Sequence, residues 1–297
     1  MSENITHTAV TDDCTRLALH SPTICDAFKE CLGEHLEIAR LSGSTRGGDR
    51  STASLLARFR DAWPDRTEDD MLPEKLAFVL GWLCHRAADR QMKPIFRATD
   101  AGDADPPRDC SIHHDVFLLR EIYAGGEREP YSPATAEIGL QSLPAAPALD
   151  VDQIEDLLRA ILQRALIGLH TFIPDRDDVE GWMERLFAMR QRFYIDIRYY
   201  AEVFANPDAD KMKRFIYDVD FYDGADAIIR LARSLQHGSA DETIDLAEAV
   251  EGAASQSQYA QALRKGYLYI QAASDYFERR LDEETLRDRL DIGKPGG

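Results

Sequence analysis

Leu76-Ala77-Phe78-Val79-Leu80-Gly81-Trp82-Leu83-Cys84 is the longest apolar run of the chain, and it passes directly into His85-Arg86-Ala87-Ala88-Asp89. A helix that is apolar on every side belongs at the centre of a helical fold. Pro73, after Asp69-Asp70, suits the first turn of that helix, because its missing N–H would have no intrahelical partner there. The helix is therefore expected to run from Pro73 to Arg90, with His85 and Asp89 on one face because they stand four positions apart. The run is far short of the ~20 residues that cross a bilayer, so no transmembrane segment is expected.

Outward from this centre, the chain reads as further helices. Ile24, Phe28, Cys31, Leu32, His35 and Leu36 recur at helical spacing and predict a helix from Ile24 to Arg40. Ser44 to Arg50 has no hydrophobic residue and carries Gly47-Gly48, which predicts a loop able to approach a ligand closely. A short helix from Thr52 to Ala62 follows, and another is predicted from Ser111 to Tyr123. The stretch from Gly126 to Pro147, with its four prolines, reads as an irregular connector. Beyond it lie amphipathic segments at Val151–Ile173, Asp178–Ala205, Gly224–Leu235 and Ser255–Leu281. No strand pattern or repeat is visible. The predicted class is all-α, a multi-helix bundle, with residues 1–125 as a helical metal-site region, 126–150 as the connector and 151–297 as a C-terminal bundle packed with the first region.

Composition narrows the function classes. Hydrophobic residues make up 44% and charged residues 30%, enough apolar surface for a packed core. Lys plus Arg number 35 against 53 Asp plus Glu, for a net charge of -18, which disfavours a broad nucleic-acid surface. A small phosphorylated substrate remains compatible, since a metal ion in an acidic site can hold a phosphate. The first residues have neither the basic start nor the apolar stretch of a secretory signal, so a cytoplasmic location is expected. The five cysteines show no close pairing motif and read as reduced thiols.

His85 and Asp89 are the leading candidate metal ligands, since imidazole and carboxylate are ordinary donors to zinc and similar divalent ions. The competing reading of Asp89 is an ion pair with Arg86 or Arg90. His113-His114-Asp115 opens a later helix, with Glu121 two turns after His114 on the same side. His113 reads as an exposed N-terminal residue. Asp49 is a loop candidate, as ligand or as helix cap, and His7 sits on an N-terminal arm able to swing in. Tyr194, Tyr199, Tyr200, Tyr217 and Tyr222 recur with Arg190, Arg192 and Arg198; they read as core rings with hydroxyls at the rim, or as the lining of an anion pocket. Asp218, Asp220 and Asp223 do not match a calcium loop, because Tyr222 takes a ligand position and no glutamate closes it.

In order along the chain, Thr6-His7, the loop ending in Gly48-Asp49, the run Phe78 to His85 with Asp89 and Pro94, and a later His-containing helix resemble the zinc-dependent phospholipase C family, which is related in structure to fungal single-strand nucleases. The resemblance covers about the first 125 residues. It implies an all-helical fold and zinc-dependent hydrolysis of phosphate esters. By resemblance, His7, Asp49, His85 and Asp89 match the family's metal ligands, and His114 with Glu121 stands for its later pair. Asp49 or Asp89 would orient the attacking water. Three departures are plain: Lys93 stands where members usually have a histidine before the proline, no histidine lies between Asp49 and His85, and Glu121 is more distant from His114 than the usual partner.

The reading that follows is a metal-dependent phosphoesterase with zinc, or manganese or iron, at His7, Asp49, His85, Asp89, His114 and Glu121. Two alternatives stand beside it. One is a helical phosphohydrolase of the His…His-Asp…Asp kind, using His85, His114 and Asp115. The other is a non-catalytic helical protein with a degenerate site, to which the Lys93 ammonium lends support because it repels a cation, binding a ligand or partner through the tyrosine-rich bundle.

Overall fold

The computed structural model describes residues 4–44, 51–99, 109–123, 178, 180–181, 184 and 198–294. Among these the regular structure is helical, with no strand, as the all-α reading predicts. The helices that matter here are α1 (Asn4–His20), α2 (Asp26–Glu34), α3 (Leu36–Gly43), α4 (Thr52–Ala62), α5 (Leu72–Thr99) and α6 (Asp109–Tyr123). After them come α7 (Ala209–Met212), α8 (Ala227–Gln236), α9 (Leu246–Gly252), α10 (Gln258–Phe277) and α11 (Glu283–Arg289). No described helix is long and apolar enough to cross a membrane. The expected connector at 126–150 and the helix expected at 151–173 lie outside the described residues, as does most of 178–205.

The chain divides into two compact units, each discontinuous in sequence. Unit 1 comprises Met1–Thr6 and Thr99–Asp218, and unit 2 comprises His7–Ala98 and Val219–Gly297. Val219–Gly297 thus fall in the same unit as α5 up to Ala98.

In unit 2 the run from Leu76 to Cys84 is buried apart from Phe78 and Trp82, whose rings meet edge-on at 5.0 Å. Close approach of neighbouring helices produces this burial. Against α3, a Cβ at Gly81 would overlap the Ala39 carbonyl oxygen and the Ser42 hydroxyl, so only glycine allows the helices to approach this closely. Against α10, a side chain at Gly266 would strike the Cys14 sulfur of α1 and meet Ala87 of α5. The helix is longer than expected, and it carries Pro94 within it rather than ending near Arg90.

The helix expected from Ile24 to Arg40 is two helices, broken at His35, whose backbone at φ -124, ψ 36 is not helical. The larger difference is α1, where the sequence reading has an arm. Its buried face includes Thr6, Thr8, Thr11, Asp12, Asp13 and Thr15, so the apolar periodicity that announces a helix is missing. Tertiary partners supply what periodicity does not: Arg40 pairs with Asp12 through two bonds of 2.7 and 3.0 Å. Asp13, fully buried, takes Arg16 at 2.5 Å, the Tyr259 hydroxyl at 2.8 Å and the Arg233 guanidinium. All five cysteines are buried free thiols.

Candidate metal centre

His85 and Asp89 leave α5 one turn apart, and the Asp89 carboxylate turns back so that Oδ2 lies 3.3 Å from His85 Nε2. From α1, His7 places Nε2 3.4 Å from Asp89 Oδ1. The two imidazoles stack with centroids 4.3 Å apart and planes 25° from parallel. His7, His85 and Asp89 thus offer two nitrogens and a carboxylate oxygen that all lie within 4.8 Å of one another. His7 is 4% and His85 8% exposed, while Asp89 is half-buried, so the carboxylate marks the open side of the cluster.

The orientation of His85 is set by α3. Its Nδ1 lies 2.9 Å from the backbone carbonyl of Gly43, the last residue of that helix. A carbonyl only accepts, so Nδ1 carries the proton and donates it. Gly43 reaches this position because Thr11 of α1 occupies the space where its Cβ would be, and the Thr11 hydroxyl donates in turn to the His7 carbonyl at 2.8 Å. One glycine therefore couples the two histidine-bearing helices.

The electrostatics follow. Burial, and then the charge of His7, lower the pKa of His85, against the pull of Asp89. For Asp89, burial alone would raise the pKa, but the hydrogen bonds and positive charges of His7 and His85 hold the carboxyl well below its ordinary range. Asp89 also accepts from the Lys93 ammonium at 2.6 Å. The Asp89 partners are therefore His7, His85 and Lys93, rather than the Arg86 or Arg90 that sequence reasoning offered. The i,i+4 spacing of Asp89 and Lys93 was the signal available for that contact.

Among the described residues, no other His, Cys, Asp or Glu joins this cluster. Asp49 lies outside the described residues. His114 belongs to unit 1, is fully buried, and has Nε2 2.9 Å from the Phe215 carbonyl, in the π-helical turn Lys213–Tyr217. Burial lowers its pKa to about 3, so it stands as a neutral core histidine. Glu121 is exposed. Asp115 spends one oxygen on Thr6, accepting from its backbone N–H at 2.8 Å and its hydroxyl at 2.7 Å, which satisfies a free donor in the first turn of α1. His113, expected at the surface, is buried with Nδ1 2.6 Å from the Asp109 carbonyl. Of the tyrosines, Tyr200 is buried while Tyr199 and Tyr217 are exposed; Tyr194, Arg190 and Arg192 lie outside the described residues.

Comparison of the chain with protein-family models, with curated proteins and with solved structures gave no match. The site is therefore read from its own donors. The Nε2 atom of His85 is the deciding one. With Nδ1 donating to Gly43, a neutral His85 directs a lone pair from Nε2 at a carboxylate oxygen 3.3 Å away, which is repulsive unless a cation sits between them. A proton serves that purpose at the cost of a buried imidazolium. A divalent ion serves it with donors of the right kind, and the Gly43 carbonyl then plays the orienting role that outer partners play for metal-bound histidines. The donor set fits a metal.

Proposed function

We propose that this chain is a metal-dependent hydrolase of phosphate esters, with one divalent ion held by His7, His85 and Asp89. The observation that carries the reading is the Nδ1 bond of His85 to Gly43, which leaves Nε2 as the nitrogen that faces Asp89 and that a neutral ring can offer to a metal. Two imidazoles and one carboxylate are a common zinc set that leaves a fourth position open, and manganese or iron accept the same donors. The resemblance to the zinc-dependent phospholipase C family supplies the reaction class, a phosphoester hydrolysis of a small phosphorylated substrate. A cytoplasmic setting belongs to the same proposal, since five buried free thiols suit a reducing compartment.

When bound, such an ion offsets charge developing on a phosphoryl oxygen and makes water more acidic. The chain's own residues then have separate tasks. His85 is fixed in tautomer and ring plane by Gly43, and His7 is held against it by stacking. Asp89 is ionised throughout the neutral range and half-open to solvent, so its carboxylate can accept a proton-bearing water on the open side. The Lys93 ammonium, one third exposed on a flexible stem, is placed to meet an incoming anion once it leaves Asp89.

The Lys93 bond also favours a second reading, a non-catalytic binding protein in which ammonium, carboxylate and imidazoles form a closed ionic knot. A phosphohydrolase using His114 and Asp115 draws less support, because both side chains are engaged with Phe215 and Thr6. Elemental analysis of protein purified without an affinity tag, beside His85→Ala, separates these. Near-stoichiometric zinc, manganese or iron that is lost in the variant, with phosphoesterase activity lost on chelation, supports the hydrolase. Metal-free protein that gains none on dialysis against zinc or manganese supports the closed knot.

A further inference from the structure

His85, Asp89 and Lys93 follow one another at four-residue spacing along one face of α5, so successive turns present an imidazole, a carboxylate and an ammonium on the same side. Lys93 is the member that opposes a cation. Its Nζ lies 2.6 Å from Asp89 Oδ2, the same oxygen that stands 3.3 Å from His85 Nε2. An ion shared by His7, His85 and Asp89 would take the ammonium's own partner and stand against its positive charge.

The Lys93 side chain is one third exposed, more open than Asp89, His85 or His7, so its nitrogen is the part of the cluster that small molecules in solution reach most readily. Among the described residues the cluster offers three donors, which leaves an ion there room for a further oxygen. A primary amine supplies one after a single reaction. Carboxylation by dissolved carbon dioxide or bicarbonate turns the end of a lysine from a cation into a carbamate, an anion with two carboxylate-like oxygens, and so inverts the electrostatic role of the position.

We propose that Lys93 is a carboxylation site whose carbamate joins His7, His85 and Asp89 in holding the divalent ion. The inference rests on the reading of those three residues as metal ligands. In the balanced step, the Lys93 ammonium and bicarbonate give the carbamate, one water and one proton. A C–N bond forms at Nζ, a C–O bond of bicarbonate breaks with its oxygen leaving as water, the remaining proton passes to solvent, and nothing is oxidised or reduced. The carbamate and Asp89 then repel each other unless a cation lies between them, so carboxylation and metal binding favour one another reciprocally. The ion pair of Lys93 with Asp89 is the resting form, closed by its own ammonium until carbon dioxide and metal arrive together.

Zinc affinity of the full chain, measured by competition with a chromophoric chelator in buffer freed of carbon dioxide and again with bicarbonate, tests this beside Lys93→Met and Lys93→Arg. Expected is a gain of about tenfold or more when bicarbonate is added to wild type, and no gain in either variant. With bicarbonate carrying the NMR-active carbon isotope, zinc-loaded wild type shows a protein-bound carbamate carbon that chelator removes and that both variants lack. A bicarbonate gain shared by Lys93→Arg means that the anion binds as an ion, and overturns the proposal. Zinc binding by wild type that is indifferent to bicarbonate, with no carbamate signal, also overturns it and leaves the three-ligand site standing. Zinc binding by Lys93→Met alone, in both buffers, overturns it in favour of the closed ionic knot. No zinc binding by wild type or either variant in either buffer overturns the three-ligand site itself, and the carbamate with it.

Discussion

His85 donates from Nδ1 to the Gly43 carbonyl across 2.9 Å, which leaves Nε2 as the ring nitrogen that faces Asp89. Between Nε2 and the Asp89 carboxylate a cation is then favoured, either a proton on the ring or, under the proposed function, a divalent ion.

Lys93 competes for that place. Its ammonium occupies Asp89 Oδ2 at 2.6 Å, so metal entry must displace it and then tolerate a like charge nearby. Lys93→Met is expected to bind zinc at least ~10-fold more tightly, a difference of ~1.4 kcal/mol, measured by competition with a chromophoric chelator. Unchanged affinity would mean that Asp89 is not a ligand.

Asp115 is assigned to Thr6, not to a metal. Asp115→Ala is expected to keep the metal content of wild type while losing about 1–3 kcal/mol of stability, the cost of stranding buried donors. Loss of metal with stability intact would restore the phosphohydrolase reading built on His114 and Asp115.

His114 makes stability pH-dependent. Its pKa is lowered from 6.5 to about 3 by burial, so between those values the unfolded chain takes a proton that the folded chain refuses. Its contribution is complete above pH 6.5 and is lost as pH falls toward 3, by at most about 1.4 kcal/mol per pH unit. Urea denaturation from pH 6.5 downward should show wild type losing stability faster than His114→Gln, whose amide still donates to Phe215 but takes no proton. Parallel curves would contradict the neutral core role.

Asp13, fully buried, anchors α1 through Arg233 and Tyr259 and also takes Arg16 of its own helix. Asp13→Ala is expected to cost about 3–5 kcal/mol, because it strands a partly buried guanidinium. Asp13→Ala/Arg233→Met should be less destabilised than the sum of its single variants. Strict additivity in urea denaturation would show that the two side chains do not act together.

The sequence carried much of the fold because α5 announces itself. A continuous apolar run ending in His85 and Asp89 can only be a buried helix, and α4, α6, α8 and α10 follow from apolar spacing within a few residues of their observed limits. The pair on α5 was legible for the same reason, since four residues always span one turn. Helix α1 was not legible, because its buried threonines and aspartates look solvent-facing until Arg40, Arg233 and Tyr259 are brought to them.

What the sequence determined by itself is therefore local: the helical class, the buried helix, and two candidate ligands on one of its faces, all consequences of a periodicity contained in short stretches of chain. Only tertiary structure decided that His7 joins them, that the Gly43 carbonyl meets His85 Nδ1, and that His114 is engaged by Phe215. Each of these depends on side chains distant in sequence arriving at one place, and helix packing specifies that through close approach at Gly43, Gly81 and Gly266, where a missing Cβ rather than any pattern sets the fit.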